Sequence, residues 1–432
     1  MARESAAACD VVWDGGPEAG WVTGLNGVGE TTWNATREVL LVRKASKSSM
    51  SRQEPSLAAV LSHLAAWRSI RLGNREFVDG IVRAEDRGPG PALKAALTSW
   101  DGAHYWLGRG GRRVVLVRAV APDPTPRWWL HALLFTLTIV CSLGAGAALA
   151  GAWYPWSGEG LTGALQGAGQ FLVGMAEGDW RFVLDGWSFA LPLLGILLVH
   201  EMGHYLAARR YAIQVSPPFF LPIPPNLSPI GSLGAFISLR SAVLDRRQLL
   251  DVGAAGPLAG FVVALGVLVW GYLTSERVEV AGLEGIGYVI FAGQPIHLGE
   301  SMLTAALRDW LVPGTSAVHL SLPAFAGWVG MFITALNLLP LSQLDGGHVV
   351  YGLVGRRQTV VGILAVIGLL YLAQFAWMWY IWVAATFLIG RGRWSHPSVV
   401  VAGQPVPPSR RWIGLACVVV FVVTFVPVPF LP

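Results

Sequence analysis

The sequence predicts an α-helical polytopic membrane protein of about seven transmembrane helices behind a small soluble α+β domain, and three observations carry that reading. Hydrophobic residues make up 53% of the 432 residues and charged residues only 13%, with a mean hydropathy of +0.52, so the bilayer is the solvent of most of the chain. Apolar runs long enough to cross a hydrocarbon core roughly 30 Å thick recur after Arg127. Charged residues gather before Arg127 and in the short loops between those runs.

Residues 1–49 are Gly-rich and read as an irregular or disordered extension, although Val39–Val42 has the look of a strand. Met50-Ser51-Arg52-Gln53 would serve equally well as a start. Residues 50–126 carry Arg52, Glu54, Arg83, Glu85, Asp86 and Arg87 among alternating apolar and polar stretches, the pattern of a soluble domain. Within it Ser56–Trp67 shows helical periodicity, with Leu57, Val60, Leu61 and Leu64 on one face, and Val114–Val117 reads as a strand.

Residues 127–432 form the membrane-embedded part. The first span begins at Trp128 and runs past Gly151 without a charge, too far from the start for a signal peptide. Further spans are expected at about Gly186–Ala208, Val252–Leu273, Leu320–Leu341, Thr359–Gln374, Phe375–Gly390 and Trp412–Phe430. If the N-terminal domain is cytoplasmic, the loops on its side hold Arg209, Arg210, Arg240, Arg246, Arg247, Arg356, Arg357, Arg391, Arg393, Arg410 and Arg411. The opposite loops hold only Arg181, Arg277 and Arg308, and this bias sets the orientation and leaves the C-terminus outside. The net charge of +5 is thereby a topology signal rather than the mark of an acidic or nucleic-acid partner. Cys9, Cys141 and Cys417 are too scattered for a disulfide framework or a thiolate metal site. Pro405, Pro407 and Pro408 mark a polar linker, and Trp377, Trp379, Tyr380 and Trp382 read as an interfacial aromatic belt between two spans.

The second span contains His200-Glu201-Met202-Gly203-His204. On a helix the i and i+4 imidazoles share one face and can reach one tetrahedral zinc ion, with Glu201 beside them as general base. At about 1.5 Å of rise per residue, His204 lies roughly 8 Å and His200 roughly 14 Å from the Arg209 end, so the centre sits toward the cytoplasmic face. Ionisable residues within a span are costly and are kept for function. A catalytic zinc needs a third protein ligand, and Asp345 is the unpaired acid at matching depth. It closes the fourth span in Asn337-Leu338-Leu339-Pro340-Leu341-Ser342-Gln343-Leu344-Asp345-Gly346-Gly347-His348, where Pro340 should break the helix. Taken without the histidines, Asp345 reads rather as an interfacial cap after the span. His348 reads either as a partner of Asp345 or as a helix-start histidine facing the cytoplasm.

An HExxH in one span and an NxxPxxxLDGG in a later one resemble the intramembrane site-2 protease family, over most of the chain after Arg127. The segments Ser216-Pro217-Pro218-Phe219-Phe220, Gly231-Ser232-Leu233-Gly234-Ala235-Phe236-Ile237 and Gly256-Pro257-Leu258-Ala259-Gly260 further resemble its bacterial and plastid branch that lacks a PDZ domain. The resemblance implies His200, His204 and Asp345 as Zn2+ ligands, Glu201 as catalytic acid/base, and Asn337 as a residue holding substrate or the oxyanion. An amide in a span is as often helix-to-helix glue. It also implies a single-span membrane protein substrate, such as an anti-sigma factor or a remnant signal peptide, and residence in a bacterial cell membrane. The segment Thr274–His319, about half the length of a PDZ domain, leaves no external filter for substrates.

A transmembrane substrate hides its scissile carbonyls in helical hydrogen bonds and must unwind to be cut. The run Gly231–Leu239, with Leu233, Ala235, Ile237 and Leu239 in alternation, suits an edge strand on which an unwound segment could be held at Gly234, Ala235 and Phe236. A simple re-entrant loop accounts for the same residues. Two rival functions are a membrane zincin with a downstream glutamate ligand and a catalytically silent scaffold or metal carrier. Glu276, Glu279, Glu284 and Glu300 fall in the loop expected outside, which opposes the first, and an intact Glu201 opposes the second.

Overall fold

The computed structural model describes residues 55–431 except 73–74, 84–89, 101, 108–111, 120–126, 153–159, 179–183, 212, 240–242, 244, 280–285, 315–316, 391, 395, 397–398 and 400–405. The expected extension 1–49, the Val39–Val42 strand and the alternative start at Met50 lie outside these residues. The chain divides into two compact units, one of residues 1–69 and 77–118, the other of residues 70–76 and 119–432.

The first unit contains α1 (Pro55–Ser62), β1 (Leu64–Leu72), β2 (Arg75–Val82), α2 (Pro91–Thr98), β3 (Ala103–Leu107) and β4 (Arg113–Ala119). The strands lie in the order β1-β2-β4-β3, and β3 pairs antiparallel with β4. Val60, Val78, Leu93, Val114 and Leu116 are buried together, and α2 contributes Leu93, Ala96 and Leu97 from one face. The strand expected at Val114–Val117 lies within β4. The helix expected over Ser56–Trp67 stops at Ser62, because Leu64 and Trp67 belong to β1, where pairing with β2 satisfies the backbone in place of helical bonds.

The second unit is mostly helical. Its helices are α3 (Trp128–Leu149), α4 (Gly160–Ala176), α5 (Trp187–Arg210), α6 (Arg246–Leu273), α7 (Met302–Leu311), α8 (Leu322–Asn337), α9 (Asp345–Val354), α10 (Gln358–Leu372), α11 (Met378–Ile389) and α12 (Pro408–Thr424). Four helical stretches are long and apolar enough to cross a membrane, namely α3, α5, α6 and the run Asp345–Leu372 that joins α9 to α10 through one 3-10 turn. Helices α8 and α11 are shorter and apolar. The sequence reading did not anticipate α4, whose glycines and glutamines dilute its apolar character.

Helix α6 is the hub of this unit and packs against α5, α8, α9 and α12. Lipid tails are as apolar as leucine, so helices in a bilayer associate through close packing rather than through escape from water. The α6–α8 contact follows that rule: Gly271 lies directly on the Ala324 backbone, where any side chain would collide. The core beside it is filled by Phe189, Leu193, Ile196, Leu268, Phe325, Met331 and Trp379. Trp379 departs from the aromatic belt. It is fully buried and donates its indole N–H to the Pro427 carbonyl at 2.8 Å, whereas Trp377 and Tyr380 are exposed.

Two small sheets flank the helices. At one end β5 (Phe219–Pro222) and β6 (Ser232–Phe236) form an antiparallel hairpin. Helix α3 seats it through Phe135 on Phe220, and through His131, which packs at a tilt against Phe219 and donates Nδ1–H to the Pro218 carbonyl at 3.1 Å. The other sheet has the order β11-β9-β8-β10-β7, from β7 (Glu276–Val278), β8 (Gly287–Phe291), β9 (Gln294–Leu298), β10 (Ala317–His319) and β11 (Phe430–Leu431). Strand β11 pairs antiparallel with β9, so the segment after α12 returns to the sheet that follows α6.

Candidate metal centre

Helix α5 has apolar residues all round its first four turns, as a helix packed within a membrane bundle must. Its buried face then carries His200, Glu201 and His204, all at most 6% exposed. The four-residue spacing stacks the imidazoles, with ring centroids 4.9 Å apart.

Asp345 comes from elsewhere than expected. It does not close the fourth span: α8 ends at Asn337, the segment Leu338–Leu344 turns, and Asp345 opens α9. Pro340 has no N–H to extend the helix, and Ser342 sits at φ 41°, a left-handed conformation that L-residues avoid, so the chain cannot continue as one helix. Asp345 in the first turn of α9 also faces the positive end of that helix dipole, which favours a carboxylate.

The three side chains meet. His204 Nε2 lies 3.1 Å from His200 Nε2 and 3.1 Å from Asp345 Oδ2, and His200 Nε2 lies 3.3 Å from the same oxygen. Tetrahedral ligands held about 2.0–2.1 Å from a zinc ion are about 3.3 Å apart, so the triangle fits zinc without rearrangement. Two imidazoles and one carboxylate are a donor set for a catalytic rather than a closed structural site, because a fourth position stays open. Among the described residues this is the one cluster of three such ligands.

The surroundings fix the ligands. His204 Nδ1 lies 2.7 Å from the Val252 carbonyl, which can only accept, so Nδ1 carries the proton and Nε2 offers its lone pair to the centre. Helix α6 can approach this closely because residue 256 is glycine: a Cβ there would overlap His204 Nε2. Gly260 plays the same part beside His200, where a Cβ would lie 3.1 Å from Nδ1. The Asn337 amide nitrogen at the end of α8 lies 3.4 Å from His200 Nε2 and faces the triangle.

Glu201 accepts a hydrogen bond from the Ile237 backbone N–H, just beyond β6. The hairpin therefore runs beside the buried carboxylate. Strand β6 is shorter than the expected 231–239 run: it ends at Phe236, and beyond it Ser216 and Ser238 exchange hydrogen bonds, followed by a bridge between Val215 and Leu239. Gly234, at φ 102°, interrupts the alternation, leaving Leu233 and Phe236 exposed and Gly234 and Ala235 half-buried. Among the described residues β6 pairs with β5 alone, so its other edge is free.

Sequence reasoning missed Val252, whose contribution is a main-chain atom and leaves no side-chain signal. His348 Nδ1 lies 2.7 Å from His396 Nε2, a pairing that neither expected reading of His348 included.

Residues 188–376 match the family described as Peptidase family M50. Curated relatives include the probable chloroplastic zinc metalloprotease EGY2 of Arabidopsis thaliana, 33% identical over 57% of this chain and 42% of that protein. The probable chloroplastic zinc metalloprotease EGY1 of the same plant is 33% identical over 42% of this chain and 32% of its own length. The corresponding EGY3 of Oryza sativa subsp. japonica is 28% identical over 41% and 31%. The chain thus spans less than half the length of the curated relatives it matches. No solved structure matches it. The match starts in the helix that bears His200, Glu201 and His204 and extends past Asp345, so the stretch of this chain that builds the candidate centre is similar to peptidase family M50.

Proposed function

We propose that the protein is an intramembrane zinc endopeptidase that cuts transmembrane segments of membrane proteins, as in regulated intramembrane proteolysis. The observation that carries this reading is the 3.1–3.3 Å triangle of His200, His204 and Asp345, set with buried Glu201 against the free edge of β6. His200, His204 and Asp345 would hold the metal. When bound, zinc supplies a Lewis acid that polarises a peptide carbonyl and acidifies water.

The chain's own residues do the rest. An unwound substrate segment adds to the free edge of β6 at Gly234, Ala235 and Phe236, exchanging its lost helical hydrogen bonds for strand pairing. Glu201 takes a proton from the attacking water and delivers it to the leaving amine. Its bond from Ile237 holds the carboxylate beside the strand that presents the substrate. The Asn337 amide donates to the developing oxyanion, replacing solvent with a fixed dipole.

The domain crosses the membrane seven times, with α8, α11 and α12 as short spans. The arginine-rich ends, Arg209 and Arg210 of α5 and Arg246 and Arg247 of α6, face the cytoplasm with the N-terminal soluble domain, and the sheet containing β7 and β11 lies outside. The substrate class is a single-span membrane protein, of which an anti-sigma factor is one example.

Glu201→Gln tests the assignment. The variant should bind zinc as the wild type does and lose cleavage of a single-span substrate in detergent by about 10²–10⁴-fold. Undiminished cleavage would remove Glu201 from the mechanism. A wild type that binds zinc and cuts nothing among the membrane fragments seen by proteomics would favour the silent scaffold.

A further inference from the structure

The Leu338–Leu344 turn that delivers Asp345 is held from outside itself. Gln358, the first residue of α10, is fully buried and donates from Nε2 to the Pro340 carbonyl at 3.0 Å and to the Trp394 carbonyl at 3.4 Å. Its Oε1 accepts from the His396 N–H at 2.9 Å. The Trp394 carbonyl also accepts from the Ser342 N–H at 3.3 Å, at the residue whose φ is 41°. His396 in turn meets His348, on the same helix as Asp345 and one turn further on, at 2.7 Å. A closed ring thus runs from the turn through Gln358 to residues 394–396, and through His348 back to the helix that begins with Asp345.

Each link answers a physical need. Pro340 interrupts the helix and leaves carbonyls without helical partners in a buried segment, where an unmade hydrogen bond is costly. A non-glycine residue at positive φ persists only where its neighbours hold it. The side-chain amide of Gln358 meets the Pro340 carbonyl on one side and Trp394 and His396 on the other, and so reinforces the direct bond from Ser342 to Trp394.

We propose that Gln358 is a positioning residue of the metal centre, which by clamping the Pro340 turn to the Trp394–His396 segment fixes Asp345 against His200 and His204. The proposal rests on those three residues holding zinc. It requires nothing of the substrate.

The test uses the full chain in detergent, with zinc affinity measured by competition against a chelator and the cobalt(II) spectrum as a report on ligand geometry. Gln358→Met keeps the volume and removes all three hydrogen bonds. Zinc binding should weaken about 10–100-fold, the range for loss of a group that orients a ligand, and the cobalt spectrum should change. Gln358→Leu also removes all three hydrogen bonds, with a smaller apolar side chain. It should weaken zinc as well, and it serves if Gln358→Met does not fold.

If the variants bind zinc within about twofold of wild type with an unaltered cobalt spectrum, whether or not their metal-free thermal stability has fallen, Gln358 supports only the fold and the proposal is overturned. Wild type that binds zinc, with binding abolished in His204→Ala, but cleaves nothing would sink the protease reading and leave this one standing.

Discussion

The Val252 carbonyl, 2.7 Å from His204 Nδ1, makes α6 a working part of the candidate metal centre, to which it gives no ligand. The bond is possible only while α6 lies against α5 at the distance Gly256 permits. Gly256→Ala should therefore displace either the imidazole or the helix and weaken zinc about 10–100-fold, the usual range for loss of a ligand's orienting partner. Gly266→Ala on the same helix, where an added Cβ meets nothing within 4 Å, is the control. Equal zinc affinity in the two variants would show that the close approach is incidental.

Asp345→Asn removes the charge while keeping the shape. A neutral amide oxygen is a far poorer zinc ligand than a carboxylate, so affinity should fall at least about 100-fold while the metal-free protein keeps its thermal midpoint to within a few degrees. Because holding zinc stabilises the folded state by mass action, added zinc should raise the wild-type midpoint and leave that of the variant where it was. A zinc-induced rise of equal size in both would remove Asp345 from the ligand set.

On the other side of α6, Glu300 gives the sheet a pH dependence. Burial pushes its carboxyl up to about 7, against the opposing pull of Arg308, whose Nε lies 2.9 Å away. A carboxyl raised above its ordinary value of 4.5 binds more protons folded than unfolded, so this contribution is fully present below about 4.5 and is lost as pH rises through about 7. Hydrogen exchange in β9 and α7 should accelerate across that window beyond its intrinsic pH dependence, and Glu300→Gln should flatten the excess. An excess that persists in Glu300→Gln would assign the effect to another group.

Much of the centre was legible because it obeys short-range rules. The four-residue spacing of His200 and His204 fixes their common face once the segment is helical, and the apolar run makes it helical. Asp345 could be paired with them by sign and depth, but not its position in α9: that depends on how Pro340 and the left-handed Ser342 reverse the chain. Gln358 and His396 left no trace at all, since they act across 18 to 48 residues through main-chain atoms and one histidine pair. In the first unit Leu64 kept the helical period of the residues before it. Pairing with a neighbouring strand, which no local pattern records, turned it into β1. Strand β11 is likewise two residues long and owes its conformation to β9.

His204 and Asp345 are 141 residues apart in the chain. An ion gripped by both is a cross-link closing a loop of that length, and by the chain-entropy measure used for disulfides a permanent tie of this kind in a flexible chain is worth about 5 kcal/mol. An ion held there would be a rivet as well as the reagent of the proposed reaction. A chain that inserts its helices one after another has no such tie until α9 has entered, so the order of insertion sets the moment at which the bundle locks.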